Sequence, residues 1–192
     1  MRFLYIANAR VPSEKAHAYQ IMKMCEALSE KIAIGLVLPF RVELNKELKQ
    51  IKDCWEYYGV INKFKITKLP SFDLIWLHFP NNKFNNWCLL LQPLSFALLA
   101  TLYSLFKKAD IYYTRDIFFA SLFGSLKCLH RRKIYYESHE FGPSVSRLVN
   151  SGRIDGLVVI TNKLKELYID CLLYTSDAAD ELDGVDLGGR RI

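Results

Sequence analysis

The stretch YYESHEF, residues 135–141, sets two carboxylates, a hydroxyl and an imidazole side by side at the end of a β-type run. Strand alternation puts Glu137 and His139 on one face and Ser138 and Glu140 on the other. A histidine at the C-terminal end of a strand can hydrogen-bond a ligand hydroxyl or exchange a proton near neutral pH; it can equally be a core histidine satisfied by a backbone carbonyl. Glu137 falls where burial calls for a partner, and Arg115, in YYTRD on another strand, is the candidate. Asp116 follows it directly. A third polar group comes from NARVPSEKAHAYQ after the first strand. There Ser13 and Lys15 open a helix whose start can offer backbone N–H groups to a phosphate, and His17 and Gln20 share a face near its N-terminus. The same residues also suit an ordinary solvated first turn.

Several chemistries are disfavoured. The first βα turn contains no glycine, so neither the dinucleotide fingerprint GxGxxG nor a P-loop is present. No DxD and no carboxylate–histidine set with metal spacing occurs, and no GxSxG nucleophile elbow. His78, after an apolar Trp-Leu, and His130, in the basic run HRRK, read as non-catalytic.

These groups need a scaffold, and short apolar runs alternating with amphipathic stretches supply its pattern, that of a Rossmann-like α/β fold with a parallel sheet flanked by helices. Strands are expected over 3–7, 32–38, 64–68, 111–114, 134–138 and 157–160, with 72–79 ambiguous between strand and loop. Helices are expected after Pro12-Ser13, over 44–58, within 87–106, and over 118–129 and 164–168. In the first of them Ala18, Ile21, Met22, Cys25 and Leu28 follow a helical period, so that face packs on the sheet. In such sheets ligands bind beyond the C-terminal strand ends, where Glu137–Phe141, Arg115, Asp116 and the Asn8–Gln20 segment all fall.

With 192 residues, 51% of them apolar, the chain can bury one sizeable core. Its net charge is +6, yet the last 22 residues hold five acids against two arginines, so the first 170 carry +9. That balance suits an anionic partner. No nucleic-acid motif accompanies it. The five cysteines are scattered without CxxC, which fits a reducing, cytoplasmic compartment, and the N-terminus lacks the pattern of a signal peptide. Trp87–Phe106 is uncharged and followed by Lys107 and Lys108. Gln92-Pro93 interrupts it and Ser95, Thr101 and Ser104 dilute it, so a buried or membrane-surface helix is expected rather than a span.

Taken together, ANARVPSEKAHAYQIMKMCEALSEK, DIYYTRD, KIYYESHEF and DGLVVITNKLKELYI resemble the N-terminal domain of glycosyltransferase family 4, the retaining sugar transferases of GT-B fold. The resemblance covers nearly all of residues 1–170, and PSEKAHxxQ is its most specific part. It implies the N-terminal half of a two-domain, metal-independent enzyme that moves a sugar from a nucleotide-diphosphate donor, a substrate rather than a cofactor, to a glycan or lipid-linked acceptor. The basic balance and the apolar helix around 89–106 would then suit an enzyme at the inner membrane face. By motif, His139 would be the catalytic-site residue. Glu137, Glu140, Arg115, Asp116, His17 and Gln20 would line the acceptor cleft, and Ser13 and Lys15 would border the donor phosphates. The glycine-rich first turn common in that family is missing. The competing reading is a free-standing, non-catalytic module that binds a nucleotide or glycan.

The chain closes with CLLYTSDAADELDGVDLGGRRI. Its blocks CLLYTSDAAD and VDLGGRRI resemble translated transposon-end and adaptor sequence from sequencing libraries, with 181–184 where a sample index would fall. Residues 1–170 are thus expected to be a truncated native domain and 171–192 a non-native, irregular tail. The parent enzyme is expected to continue into a donor-binding domain, and this fragment alone to be inactive.

Overall fold

The computed structural model describes residues 1–43, 45–73 and 82–171, the last of these with side chains from residue 90 onward. Strands β1 (Arg2–Ile6), β2 (Ala33–Pro39), β3 (Lys65–Leu69), β4 (Ile111–Thr114), β5 (Lys133–Ser138) and β6 (Gly156–Val159) form one parallel sheet in the order β3-β2-β1-β4-β5-β6. Each lies within one residue of its expected place. The register aligns Ile6 with both Val37 and Thr114, and Thr114 with Tyr136, so the C-terminal strand ends share one edge. Between β1 and β4 the chain reverses its winding direction. A crevice opens at such a switch point because the connections leave to opposite faces of the sheet.

Period-2 alternation divides the apolar side chains between two cores. Tyr5, Leu36 and Leu38 face α1 (Ala16–Ser29), whose Ala18, Ile21, Met22 and Cys25 are fully buried at the expected helical spacing. Leu4, Ile6, Tyr112 and Ile134 face the other way. They meet Phe96, Ala97 and Ala100 of α4 (Asn82–Phe106) and Phe119, Ala120 and Phe123 of α5 (Ile117–Ser125).

Several helices depart from expectation. The single helix expected over 44–58 is two, α2 (Lys46–Gln50) and α3 (Cys54–Tyr57). Asp53 starts the second by accepting hydrogen bonds from the amides of Trp55 and Glu56 at 2.8 and 3.2 Å. The helix expected over 118–129 breaks at Leu126, and α6 (Lys127–His130) ends at Arg131 in the left-handed region with φ 51°. The helix α7 (Pro143–Asn150) was not among those expected; Pro143 at its start and buried Val145 and Leu148 account for it. α4 covers the helix expected within 87–106, contains Pro93, and begins earlier, at Asn82. The ambiguous segment 72–79, apart from Phe72 and Asp73, lies outside the described residues, as do His78 and 172–192.

A last helix over 162–171 places Leu164 and Tyr168 in the second core. The Tyr168 hydroxyl donates to the Glu140 carbonyl at 2.8 Å, receives the Gly142 amide at 3.3 Å and lies 3.0 Å from Ser138 Oγ. It thereby fixes the loop that follows β5.

Candidate functional site

At the crevice, residues from α1, β4, β5 and the loop after β5 enclose an open cleft of about 650 Å³. His17, Gln20, Arg115, Glu137, His139 and Glu140 all line it. Its size falls in the range of small-molecule sites.

The centre of the cleft is an ion pair. Arg115 Nε donates to Glu137 Oε2 at 2.8 Å and Arg115 Nη2 to Oε1 at 2.5 Å, a two-pronged grip that holds both groups in one orientation. The side chains are only 13% and 5% exposed. Burial alone would push the Glu137 carboxyl up, but hydrogen bonds from Arg115, its charge, and further bonds from Tyr113 and His139 outweigh it and hold the pKa below the ordinary value. Tyr5, its own pKa raised by burial, stays protonated, with its hydroxyl 3.5 Å from Oε2.

His139 Nε2 lies 2.8 Å from Glu137 Oε1 with the ring one third exposed. The carboxylate selects the tautomer with the proton on Nε2, which leaves Nδ1 as an acceptor; a second proton makes the ring a cationic donor. Arg115 Nη1 also reaches Gln20 Oε1 at 3.4 Å, tying β4 to α1. His17 stands at the lip. Desolvation first, then the charges of Arg115 and Lys15, hold its pKa below the usual histidine value. The start of α1 carries no side-chain cap and no acid in its first turn, so its positive dipole end faces the same space uncompensated.

Three sequence candidates have other surroundings. Ser13 does not line the cleft: it is buried, its amide donates to the Tyr58 hydroxyl at 2.6 Å, and its carbonyl accepts from that hydroxyl at 2.8 Å. Ser13 Oγ accepts the Lys15 amide at 3.3 Å, and Lys15 is exposed outside the cleft. Asp116 is buried and caps α5, its Oδ1 accepting the Phe119 amide at 2.7 Å. It faces a smaller cavity of about 260 Å³ shared with Asn8, His17, Pro93 and Arg115. Burial raises the Asp116 pKa, so its charge opposes folding at neutral pH and that opposition fades as pH falls through the raised value. Asp116→Ala should lower stability by about 1 kcal/mol in urea unfolding. Asp116→Asn, which keeps the acceptor and drops the charge, should lose less; equal losses would discount the cap.

A second polar group was not read from the sequence. Asn8 Oδ1 accepts from Arg41 at 2.7 Å and from Gln92 at 3.0 Å, and Arg41 also donates to Gln92 Oε1. Beside them Arg10 pairs with Glu43 at 3.8 Å and Asp73 at 3.7 Å. The signals were a glutamine inside an apolar run and arginines just after strands one and two. His130 is structural: Nδ1 accepts the Arg132 amide at 3.0 Å, Nε2 lies 2.9 Å from the Phe123 carbonyl, and the ring stacks on Phe123. Among the described residues, no three or more metal-ligating side chains cluster.

Fold and geometry define a Rossmann-like α/β domain with an open cleft at its switch point. Neither a family model nor a curated protein matches the sequence. Among solved structures, Arabidopsis thaliana UGT89C1 complexed with UDP is similar over 90% of this chain, with a TM-score of 0.51 and 8% identity. At that identity the likeness is one of fold. The chain spans 48% of the length of that protein. O-ureido-L-serine synthase aligns over 82% of this chain and 56% of its own at 11% identity, with a TM-score of 0.25, which carries no argument.

Proposed function

We propose that this chain is the N-terminal, acceptor-side domain of a retaining, metal-independent glycosyltransferase that moves a sugar from a nucleotide-diphosphate donor to a glycan or lipid-linked acceptor. The observation that carries the reading is the joining of Arg115, Glu137 and His139 in one cleft with His17 and Gln20. The GT-B fold of the UDP-bound neighbour supports the donor class.

The chemistry follows from charge. A departing diphosphate needs positive groups where its charge develops, and without a metal these are helix starts and basic side chains. The start of α1 and Arg115 supply them, and His17, its pKa held low in the free cleft, takes up a proton only beside the diphosphate. Lys15, just outside the cleft, adds long-range charge on the donor-phosphate side, and Ser13 shapes that loop through Tyr58. Glu137 orients His139 toward the transferring sugar or acceptor, while Gln20 and Glu140 offer hydrogen bonds to acceptor hydroxyls. Asp116 holds α5 beside the crevice. The departing phosphate takes the acceptor's proton, so His139 acts by positioning and electrostatics rather than as nucleophile or base. A donor-binding domain outside residues 1–170 completes the enzyme.

The test is a histidine NMR titration with UDP, GDP and dTDP. Weak binding, with Kd on the order of 1 mM, should shift the His17 and His139 ring signals and raise the depressed His17 pKa, since a diphosphate beside it favours the imidazolium. If none of the three moves either ring, the reading fails.

A further inference from the structure

The long helix α4 is apolar on both sides. Its inward face, Phe96, Ala97 and Ala100 with Gln92 and Ser104, is buried in the second core. Its outward face carries Leu90, Leu91, Leu94, Leu98, Leu102 and Phe106, all exposed, Leu98 at 52% and Phe106 at 88%. At about 100° per residue these six fall on one arc opposite the buried set, and from 90 to 106 they run roughly 24 Å. A solvated helix places charge on its outer face. Between Trp87 and Phe106 there is none. Phe72, 67% exposed, adds to the surface, since its amide donates to Ser95 Oγ at 3.0 Å.

The end of this face is cationic. Lys107 and Lys108 are exposed directly after Phe106. Arg132 donates to the carbonyl of Leu105 at 2.9 Å and to that of Ser104, which brings the HRRK run to the same place, with Arg131 and Lys133 exposed on either side. Asp110, the nearby acid in sequence, is taken up by the Arg2 amide at 2.7 Å. Leucines over four turns closed by basic side chains match an acyl boundary and its phosphate headgroups, in the geometry of a helix lying in the interface plane. Among the described residues no helix is long and apolar enough to cross a membrane.

We infer that the outer face of α4 is a docking surface for an anionic phospholipid bilayer. Leu94, Leu98 and Leu102 enter the acyl boundary, and Lys107, Lys108 and the Arg131–Lys133 run engage headgroup phosphates. The inference does not depend on the transferase reading, because none of these residues lines the cleft.

Flotation of the full chain with vesicles of phosphatidylcholine, with and without phosphatidylglycerol, tests it. Binding should require phosphatidylglycerol. It should weaken by at least about thirtyfold in Lys107→Glu/Lys108→Glu, at about 1 kcal/mol for each basic residue near an anionic surface, and should weaken at raised salt. Leu98→Glu/Leu102→Glu should also abolish it, with the thermal midpoint checking that the fold is kept. Equal binding to both vesicle types, or undiminished binding by the leucine variant, overturns the inference. So does a dimer in light scattering that the leucine variant dissociates while vesicles stay unbound, which would assign the face to a second copy.

Discussion

Arg115→Ala should lower the stability of the domain by about 3–5 kcal/mol, because it leaves Glu137 buried with its main counter-charge gone. The side chain of Glu137 is 5% exposed, and two of its strongest bonds come from Arg115. Tyr5, Tyr113 and His139 remain, but neutral donors do not replace a guanidinium. For a domain of this size each kcal/mol moves the midpoint by about 2–4 °C, so calorimetry should register a drop of about 10 °C. The pH dependence should change sign. With Arg115 present the folded pKa of Glu137 is depressed; its contribution is complete above the ordinary carboxylate value of about 4.3 and is lost as pH falls through the lower folded value. Without Arg115, burial dominates and raises that pKa, so the ionised carboxylate opposes folding at neutral pH and stability recovers on mild acidification. Removing both charges in Arg115→Met/Glu137→Leu should restore much of the loss, as hydrophobic replacement of buried pairs does. A midpoint within about 2 °C of the parent, with an unchanged acid limb, would show that the pair is not the keystone of the cleft.

His139→Ala should have the largest effect on catalysis and a small one on folding. Its ring is one third exposed and, among the described residues, bonded through Nε2 to Glu137 alone, which keeps its two bonds from Arg115. Under the proposed function, loss of one preorganised polar group at the developing charge lowers kcat by about 10²–10³. The measurement is nucleoside-diphosphate release by the enzyme that includes its donor-binding domain. The decrease should appear in kcat more than in KM, since the group acts where charge develops rather than in holding substrate. Turnover near that of the parent would remove His139 from the site.

The sheet was legible because strand residues announce themselves locally: β-branched and aromatic runs with Gly, Pro or polar breaks need no distant partner to be recognised. The buried face of α1 was legible for the same reason, as Ala18, Ile21, Met22 and Cys25 repeat at a period set by the helix itself. The pairing of Arg115 with Glu137 could be anticipated from burial, since a carboxylate near the end of an interior strand must find a cation. The helix boundaries were less accessible. Asp53 divides the segment after β2 because its side chain wins the amides of Trp55 and Glu56, and α7 emerges because Val145 and Leu148 find a core that period alone over eight residues does not advertise.

By itself, the sequence determined the alternation of strands and helices, the two faces of each strand, and the supply of polar groups to the C-terminal strand ends, all consequences of local periodicity. Only the tertiary structure decided which of those groups meet. It turned Ser13 toward Tyr58 and Asp116 into the start of α5, joined Asn8, Arg41 and Gln92 across distant segments, and carried the HRRK run to the end of the leucine face. The physical reason is that a parallel sheet joins strands through long crossovers. Neighbours in space are then set by winding order and packing depth, which leave no periodic trace in the chain.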